Sequence, residues 1–238
     1  MKIRLSELKQ IIREESEFSE INSMADSICY GHAPLEFVKL AQKSNDPIKD
    51  WFIKSGWLDE LQNSAPSNSS DVTRQDLARL LKMTSSATSR DVAYARYVDD
   101  ESNIAKLFLE LLSDNGYDET LEEYYRIDNQ TLPLLFHLKE LINRPRPYQL
   151  AYHFGLPLYP LIRTDAMTAS YPSGHALVGF VMSEHYSRKY PHLESKLRHL
   201  GEQVAASREI TAIHYPSDTD ASRLICQIIF DNNLLTQE

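Results

Sequence analysis

The sequence predicts an all-α protein, and three of its features support that prediction. Only seven of the 238 residues are glycine, and no long run alternates β-branched with polar residues as a strand would. Apolar residues instead recur at the three- and four-residue spacing of one helix face, most regularly over residues 104–112. The chain is long enough to bury a substantial core, so we expect a bundle of six to eight helices.

Each predicted helix follows from its own run of apolar residues. In chain order these runs contain Leu5, Leu8 and Ile12, then Leu77, Leu80 and Leu81 after Asp71, and then residues 104–112, 132–142, 176–186, 197–213 and 217–235. The helix over 132–142 must end there because Pro145 and Pro147 follow it closely, and proline does not continue a helix.

A polar, turn-rich segment at residues 63–70 predicts a loop, and we place a domain boundary there. Residues 1–62 would then be an N-terminal helical extension and residues 71–238 the main, catalytic domain. The two cysteines, Cys29 and Cys226, are too few for a disulfide framework, so we expect two reduced thiols.

The composition excludes several classes of partner. A net charge of −9 gives no gain from neutralising a phosphate backbone, so nucleic acid is not expected to bind. No stretch approaches the roughly 20 apolar residues of a transmembrane helix, and the charged N-terminus lacks the apolar centre of a secretory signal. We therefore expect a cytoplasmic protein, and any site for an anion must concentrate positive charge locally.

The first motif with a chemical meaning pairs Lys139 with Arg146-Pro147, six residues further on. Lys139 lies near the end of its helix and Arg146 on the extended segment that leaves it, so both cations can converge on one point. Lysine supplies a point charge and arginine a planar fork, and both suit phosphate oxygens.

The second motif is Pro172-Ser173-Gly174-His175, directly before an apolar helix. Ser173 suits the N-cap position and Gly174 removes side-chain bulk. The N-terminus of this helix would present free backbone N–H groups and the positive end of the helix dipole. Both favour an anion in front of the N-terminus, with His175 at the edge of that site.

The third motif is Ser207-Arg208, followed by His214 after five residues and Asp218 after three more. Arg208 adds a third cation. Asp218 lies about one helical turn beyond His214 and can fix its tautomer, which leaves the other ring nitrogen free as a nucleophile.

Taken in order, the three motifs resemble the signature motifs of the type 2 phosphatidic acid phosphatase superfamily. That group includes class A bacterial nonspecific acid phosphatases, membrane lipid phosphatases and vanadium-dependent haloperoxidases. The sequence around each motif is most similar to that of the soluble class A acid phosphatases, and the resemblance extends over about residues 71–230.

The resemblance implies an all-helical bundle of the acid phosphatase and vanadium haloperoxidase type, acting on a small phosphorylated substrate. It implies that His214 attacks phosphorus, that Asp218 orients His214, and that His175 serves as acid and then base. The residues it assigns to phosphate binding are Lys139, Arg146, Ser173, Gly174 and Arg208. It implies no metal or other cofactor.

Three alternatives stay open at this level. In a haloperoxidase, the same residues would hold vanadate as a cofactor. In a lipid phosphate phosphatase, the chain would attach to a membrane surface. A binding protein that kept the fold would need neither an acid nor an oriented nucleophile, so the histidines argue against it. A homo-oligomer is also possible.

Overall fold

The computed structural model of this chain describes residues 19–164 and 167–236. Residues 19–26 form a helical segment, α1, and eleven α-helices follow, with a short 3-10 helix over Pro191–Leu193. In chain order these helices are α2 (Leu35–Ala41), α3 (Pro47–Ser55), α4 (Trp57–Ser64), α5 (Asp71–Ser86), α6 (Ser89–Tyr97), α7 (Glu101–Ser113), α8 (Leu121–Ile142), α9 (Pro147–His153), α10 (Gly174–Lys189), α11 (Glu194–Ile210) and α12 (Pro216–Asp231). The described ranges contain no strand, so the predicted all-α class is confirmed.

The helices are more numerous than the six to eight predicted. The additional ones are mostly short: α2, α3, α4, α6 and α9 have seven to nine residues each. Two helical turns hold too few apolar positions to reveal a period of 3.6 residues, which is why the pattern missed them. The helix predicted around Leu5, Leu8 and Ile12 lies outside the described residues.

Helix α8 begins at Leu121, well before the start predicted at residue 132. Pro133 lies inside it and removes one backbone hydrogen bond, so the sequence pattern appeared to begin only there. Tyr124, Ile127 and Thr131 are buried and continue one apolar face through the proline. Tertiary packing of this face therefore outweighs the local cost of the proline.

Helix α10 is the centre of the molecule, and α11 and α12 both pack against it. Eleven of its residues are buried, all of them between Gly174 and Ser187, because the helix carries no charged side chain before Glu184. Gly179 and Gly201 let α10 and α11 approach closely, since a Cβ on Gly201 would lie 2.8 Å from the carbonyl oxygen of Gly179. This close contact holds the N-terminus of α10 in a fixed position.

Residues on both sides of the predicted boundary at 63–70 contribute to the same hydrophobic core. Ile48, Phe52, Leu58 and Leu61 from α3 and α4 belong to the cluster that includes buried residues of α7, α8 and α10. The loop itself is tied down, because Asn68 donates hydrogen bonds to the carbonyl oxygens of residues 25 and 28, at 2.9 and 2.7 Å. Residues 35–62 are therefore built into the body of the protein.

The described residues also bear on the cysteines and on membrane-spanning helices. Cys29 is exposed, Cys226 is buried, and neither forms a disulfide. Among the helices of residues 19–164 and 167–236, none combines the length and apolar content needed to cross a bilayer.

Candidate active site

One cavity of about 480 Å³ brings residues from all three sequence motifs together. Six of the eight predicted site residues line it, namely Lys139, Arg146, Gly174, His175, Arg208 and His214. The other two, Ser173 and Asp218, are completely buried, Ser173 beside Gly174 and Asp218 against His214. The cavity lies where the C-terminal ends of α8 and α11 meet the N-termini of α10 and α12.

His214 is held by Asp218, four residues later and in the first turn of α12. Nδ1 of His214 lies 3.2 Å from Oδ2 of Asp218, which also accepts from the backbone N–H of Tyr215 at 3.0 Å and from Oγ of Ser170 at 2.5 Å. Burial alone would raise the pKa of Asp218, but the Arg144 guanidinium and these hydrogen bonds outweigh it and hold that pKa well below its usual range. Because an ionised carboxylate only accepts, the proton of the imidazole is on Nδ1.

The other ring nitrogen of His214 points toward a cation. Nη1 of Arg146 lies 2.8 Å from Nε2 of His214, and a guanidinium can only donate, so Nε2 carries a lone pair. Arg146 is itself positioned by the carbonyl oxygen of Thr168, which accepts from Nε and Nη2 at 3.0 and 2.7 Å. Burial, followed by the charge of Arg146, lowers the pKa of His214 well below its ordinary value and keeps the ring neutral.

Lys139 reaches the cavity from the last turn of α8 and is almost completely buried. Its Nζ donates to the carbonyl oxygens of Ala169 at 2.6 Å and Ser170 at 3.4 Å. Burial, and then the nearby charge of Arg146, lowers the pKa of Lys139 well below its ordinary value. Both acceptors are neutral carbonyls, so an anion in the cavity would give this ammonium group a negatively charged partner.

Arg208 is buried in the last turn of α11 and lines the cavity. Its Nη2 donates to Oδ1 of Asp99 at 2.7 Å, whereas Nε and Nη1 have no hydrogen-bond partner among the described residues. Buried donors are nearly always satisfied in folded proteins. These two donors therefore suit an anionic ligand with several acceptor oxygens.

His175 occupies the second residue of α10 and is mostly buried. Its Nε2 donates to the carbonyl oxygen of Asp99 at 3.0 Å, and its Nδ1 lies 3.4 Å from Oε1 of Glu101. Burial, and then the charge of Arg208, lowers the pKa of His175 well below its ordinary value. An anion in the cavity would raise that pKa and favour the protonated ring.

Ser173 occupies the N-cap position of α10, but its side chain makes no capping hydrogen bond. Its Oγ is buried and has no partner in the described ranges. The next residue must be small, because a Cβ on Gly174 would lie 3.2 Å from Cδ2 of Leu135. The first turn of α10 therefore presents backbone N–H groups at the cavity without side-chain bulk in front of them.

Sequence reasoning missed several residues of this cavity, namely Phe37, Arg96, Asp99, Asp100, Glu101, Leu135, Phe136, Thr164, Met167 and Thr168. Leu135 and Phe136 precede Lys139 by about one helical turn, so helical spacing could have found them. Phe37 belongs to the predicted N-terminal extension, and Asp99 lies in the connection before α7, so no local pattern linked either of them to the motifs.

Arg144 precedes Arg146 by two residues, and the structure gives the two arginines different contacts. It does not line the cavity and lies behind Asp218, where its Nη1 donates to Oδ1 at 2.7 Å. Arg146, two residues later, is the arginine of this segment that reaches the cavity.

Comparison with known structures identifies the fold. The chain is similar to the crystal structure of a transmembrane PAP2 type phosphatidylglycerolphosphate phosphatase from Bacillus subtilis, with 17% sequence identity and a TM-score of 0.50. The match covers 81% of this chain and 99% of that one. A likeness at this identity shows the fold, so this chain has the helical fold of a PAP2 type phosphatase. A scan of protein-family models and a search of curated proteins found no match.

Proposed function

We propose that this protein is a phosphatase that hydrolyses phosphate monoesters through a phosphohistidine formed on His214. The observation that carries the proposal is the environment of that ring. Nδ1 of His214 is fixed by Asp218, while the Nε2 lone pair lies beside Arg146 at a cavity whose lining also includes the cationic side chains of Lys139 and Arg208. An oriented neutral imidazole beside an anion site is suited to attack on phosphorus.

In the first step, Nε2 of His214 forms a bond to phosphorus and the ester P–O bond breaks. The leaving oxygen takes a proton from His175, whose Nδ1 is the ring nitrogen not engaged by a backbone carbonyl. The imidazole of His214 then carries a positive charge, which the buried carboxylate of Asp218 stabilises through Nδ1–H.

In the second step, water replaces His214. Neutral His175 takes a proton from that water, the oxygen bonds to phosphorus, and the N–P bond breaks to return the electron pair to Nε2 of His214. The two steps together consume one water and release an alcohol and inorganic phosphate. His175 ends in the protonated state in which it began.

The equatorial oxygens of the transition state would be bound by Lys139, Arg146 and Arg208, together with Ser173 and the backbone N–H of Gly174. Arg208 has two unpaired buried donors for this purpose in the described structure, and Ser173 has one unpaired hydroxyl. Phosphoryl transfer depends mainly on positioning and charge stabilisation. Three cations at one cavity can supply that charge, so we propose that the reaction is independent of metal.

A lipid phosphate is a second candidate substrate. The cavity has an apolar side formed by Phe37, Leu135, Phe136 and Met167, where the acyl chains of a lipid alcohol leaving group could pack. The similar Bacillus subtilis protein is described as a phosphatidylglycerolphosphate phosphatase. Both candidates use the same phosphate-binding residues and differ only in the leaving group.

The test is hydrolysis of para-nitrophenyl phosphate by the purified protein in the presence of a chelator, alongside His214→Ala. We expect turnover that persists in chelator and falls by at least about 10³-fold in the variant, because removal of a nucleophile leaves only binding effects. Quenching of the wild type in alkaline detergent during turnover of ³²P-labelled substrate should trap label on the protein that acid then releases, and His214→Ala should trap none. A matched control is His199→Ala, an exposed histidine on α11.

A wild type that hydrolyses neither this ester nor a short-chain phosphatidic acid would contradict the proposal. In that case, oxidation of bromide by hydrogen peroxide in the presence of vanadate would identify a haloperoxidase. Comparison of the two phosphate substrates also separates the small-ester candidate from the lipid candidate.

A further inference from the structure

We propose that Arg144 is a positioning residue of this active site, which acts on His214 through Asp218 by fixing the orientation and the charge of that carboxylate. The inference rests on the proposed function, because it concerns how the nucleophile is kept ready. Arg144 is not one of the residues of the three motifs, and it does not line the cavity.

The guanidinium of Arg144 is held through both of its terminal nitrogens, whereas its Nε has no hydrogen-bond partner among the described residues. Nη1 donates to Oδ1 of Asp218 at 2.7 Å and to Oγ of Ser217 at 2.8 Å, and Nη2 donates to Oγ1 of Thr73 at 3.0 Å. Its plane lies over the ring of Tyr215, with 3.8 Å from Cζ to the ring centroid. The side chain is only 2% exposed, so it cannot exchange these contacts for water. A cation fixed in this way is a rigid support.

The two oxygens of Asp218 have separate partners. Oδ1 accepts from Arg144, whereas Oδ2 faces His214 and accepts from Ser170 and the backbone of Tyr215. Because Arg144 occupies Oδ1, the carboxylate plane cannot rotate without breaking a charge-assisted hydrogen bond. Arg144 therefore determines which oxygen meets Nδ1 of His214.

The charged groups around the His214–Asp218 pair come from three segments. Lys139 lies on α8, Arg144 and Arg146 lie on the segment that follows α8, and Asp76 on α5 lies 3.9 Å from Nη2 of Arg144. The neutral phenols of Tyr171 and Tyr215 complete the surroundings. Of the three cations, only Arg144 contacts the carboxylate directly, and the other two face the cavity.

This arrangement has a consequence for the acid side of the pH profile. Arg144 offsets the charge of Asp218, so the carboxylate draws a proton onto His214 less strongly. Without Arg144, a proton would bind to the pair at higher pH, whether it resides on the imidazole or on the carboxylate. In either case the nucleophile would be lost at a higher pH than in the wild type.

The experiment compares the wild type with Arg144→Met and Arg144→Lys. For Arg144→Met, we expect the acid limb of kcat/KM to move to higher pH by about 1 to 3 units, the range expected for loss of one adjacent opposite charge. We expect kcat to fall while KM changes little, since Arg144 does not line the cavity. In Arg144→Lys, which keeps the positive charge, the acid limb should lie close to its wild-type pH. The matched control is Arg79→Met on α5, an arginine 60% exposed and paired with Glu209.

A second readout does not depend on activity. NMR titration of the His214 ring, assigned with His214→Asn, should report proton uptake at higher pH in Arg144→Met than in the wild type. If the wild type hydrolyses no phosphate ester, the proposed function fails while this titration still decides the role of Arg144. If Arg144→Met does not fold, the double variant Thr73→Val, Ser217→Ala loosens the same guanidinium and should move the acid limb in the same direction.

Two outcomes would overturn the inference. A folded Arg144→Met with an unmoved acid limb and an unmoved His214 titration would leave Arg144 as a packing residue only. An increase in KM at unchanged kcat would make it a substrate-binding residue instead.

Discussion

Each histidine of the site lies beside a carboxylate, and the two pairs differ in their access to water. Asp218 is fully buried against His214, whereas the side chain of Glu101 beside His175 is 37% exposed. The buried pair keeps one geometry and one proton position. The more accessible pair can exchange a proton with solvent between turnovers. This difference suits a nucleophile in the first case and an acid and base in the second.

The pH dependence of the proposed reaction follows from the two ring environments. His214 acts without a proton, so activity falls as the pH drops through its pKa, and His175 acts with a proton, so activity falls as the pH rises through its pKa. Burial lowers the pKa of both rings below the ordinary value of 6.5. We therefore expect a bell-shaped profile of kcat/KM with its maximum below pH 6.5.

The measurement is initial rates across pH 4 to about 9, with circular dichroism at each pH to detect unfolding. His175→Gln should remove the limb on the alkaline side. A maximum above neutral pH would contradict the assignment of roles to the two histidines.

We expect the carboxylate of Asp99 to weaken phosphate binding, because it lies 2.7 Å from Nη2 of Arg208 and would repel an anion bound at the neighbouring Nε and Nη1. We expect Asp99→Asn to lower KM for a phosphate monoester by about three- to tenfold, and to strengthen inhibition by inorganic phosphate similarly. Asp100→Asn is the control, since Asp100 lines the same cavity and instead caps α7 through the N–H of Ser102. Equal changes in both variants would indicate a general effect of charge.

At the scale of elements, sequence periodicity located the long helices and misjudged their ends. Helices α7, α10, α11 and α12 lie close to where the apolar spacing predicted them. The start of α8 was predicted eleven residues too late, because Pro133 interrupts the pattern while burial of one face carries the helix through it. Periodicity predicts which face of a helix is buried. It does not predict which neighbouring helix stabilises an unfavourable residue such as Pro133.

The close contact of α10 with α11 gives a prediction about stability. In Gly201→Ala, the new Cβ would lie 2.8 Å from the carbonyl oxygen of Gly179, and neither backbone can move without separating the helices. We expect a loss of about 1–3 kcal/mol in the free energy of unfolding, the usual cost of overpacking. Urea denaturation measures it, with Ser195→Ala on the exposed part of α11 as the control. A variant as stable as the control would show that the two helices can move apart freely.

At the scale of the whole molecule, the site depends on parts of the chain far apart in sequence. The three motifs predicted the residues that meet at the cavity from α8, α10, α11 and α12, because each motif carries its own chemistry. Phe37 and Asp99 were not predictable, since only the packing of α2 on α8 and of α6 on α11 brings their segments to the same cavity. The boundary at residues 63–70 stays a prediction about organisation, and it does not divide the core.

The shared core predicts that the two sides of residues 63–70 unfold together. Phe52 on α3 is fully buried in the cluster that also holds α7, α8 and α10. We expect Phe52→Ala to lower the free energy of unfolding by about 3–5 kcal/mol in a single transition. Ile53→Ala is the neighbouring control, because that side chain is 48% exposed. Two separate transitions in the wild type would instead indicate that residues 1–62 form an independent unit.

The hydrogen bond between Arg146 and His214 has a further consequence for the proposed reaction. In the free protein, Nη1 of Arg146 covers the lone pair of Nε2, so an uncharged electrophile that enters the cavity would meet an already engaged nitrogen. A phosphate group would instead draw the guanidinium onto its own oxygens and free the ring. On the proposed mechanism, binding of the substrate would therefore itself expose the nitrogen that attacks phosphorus.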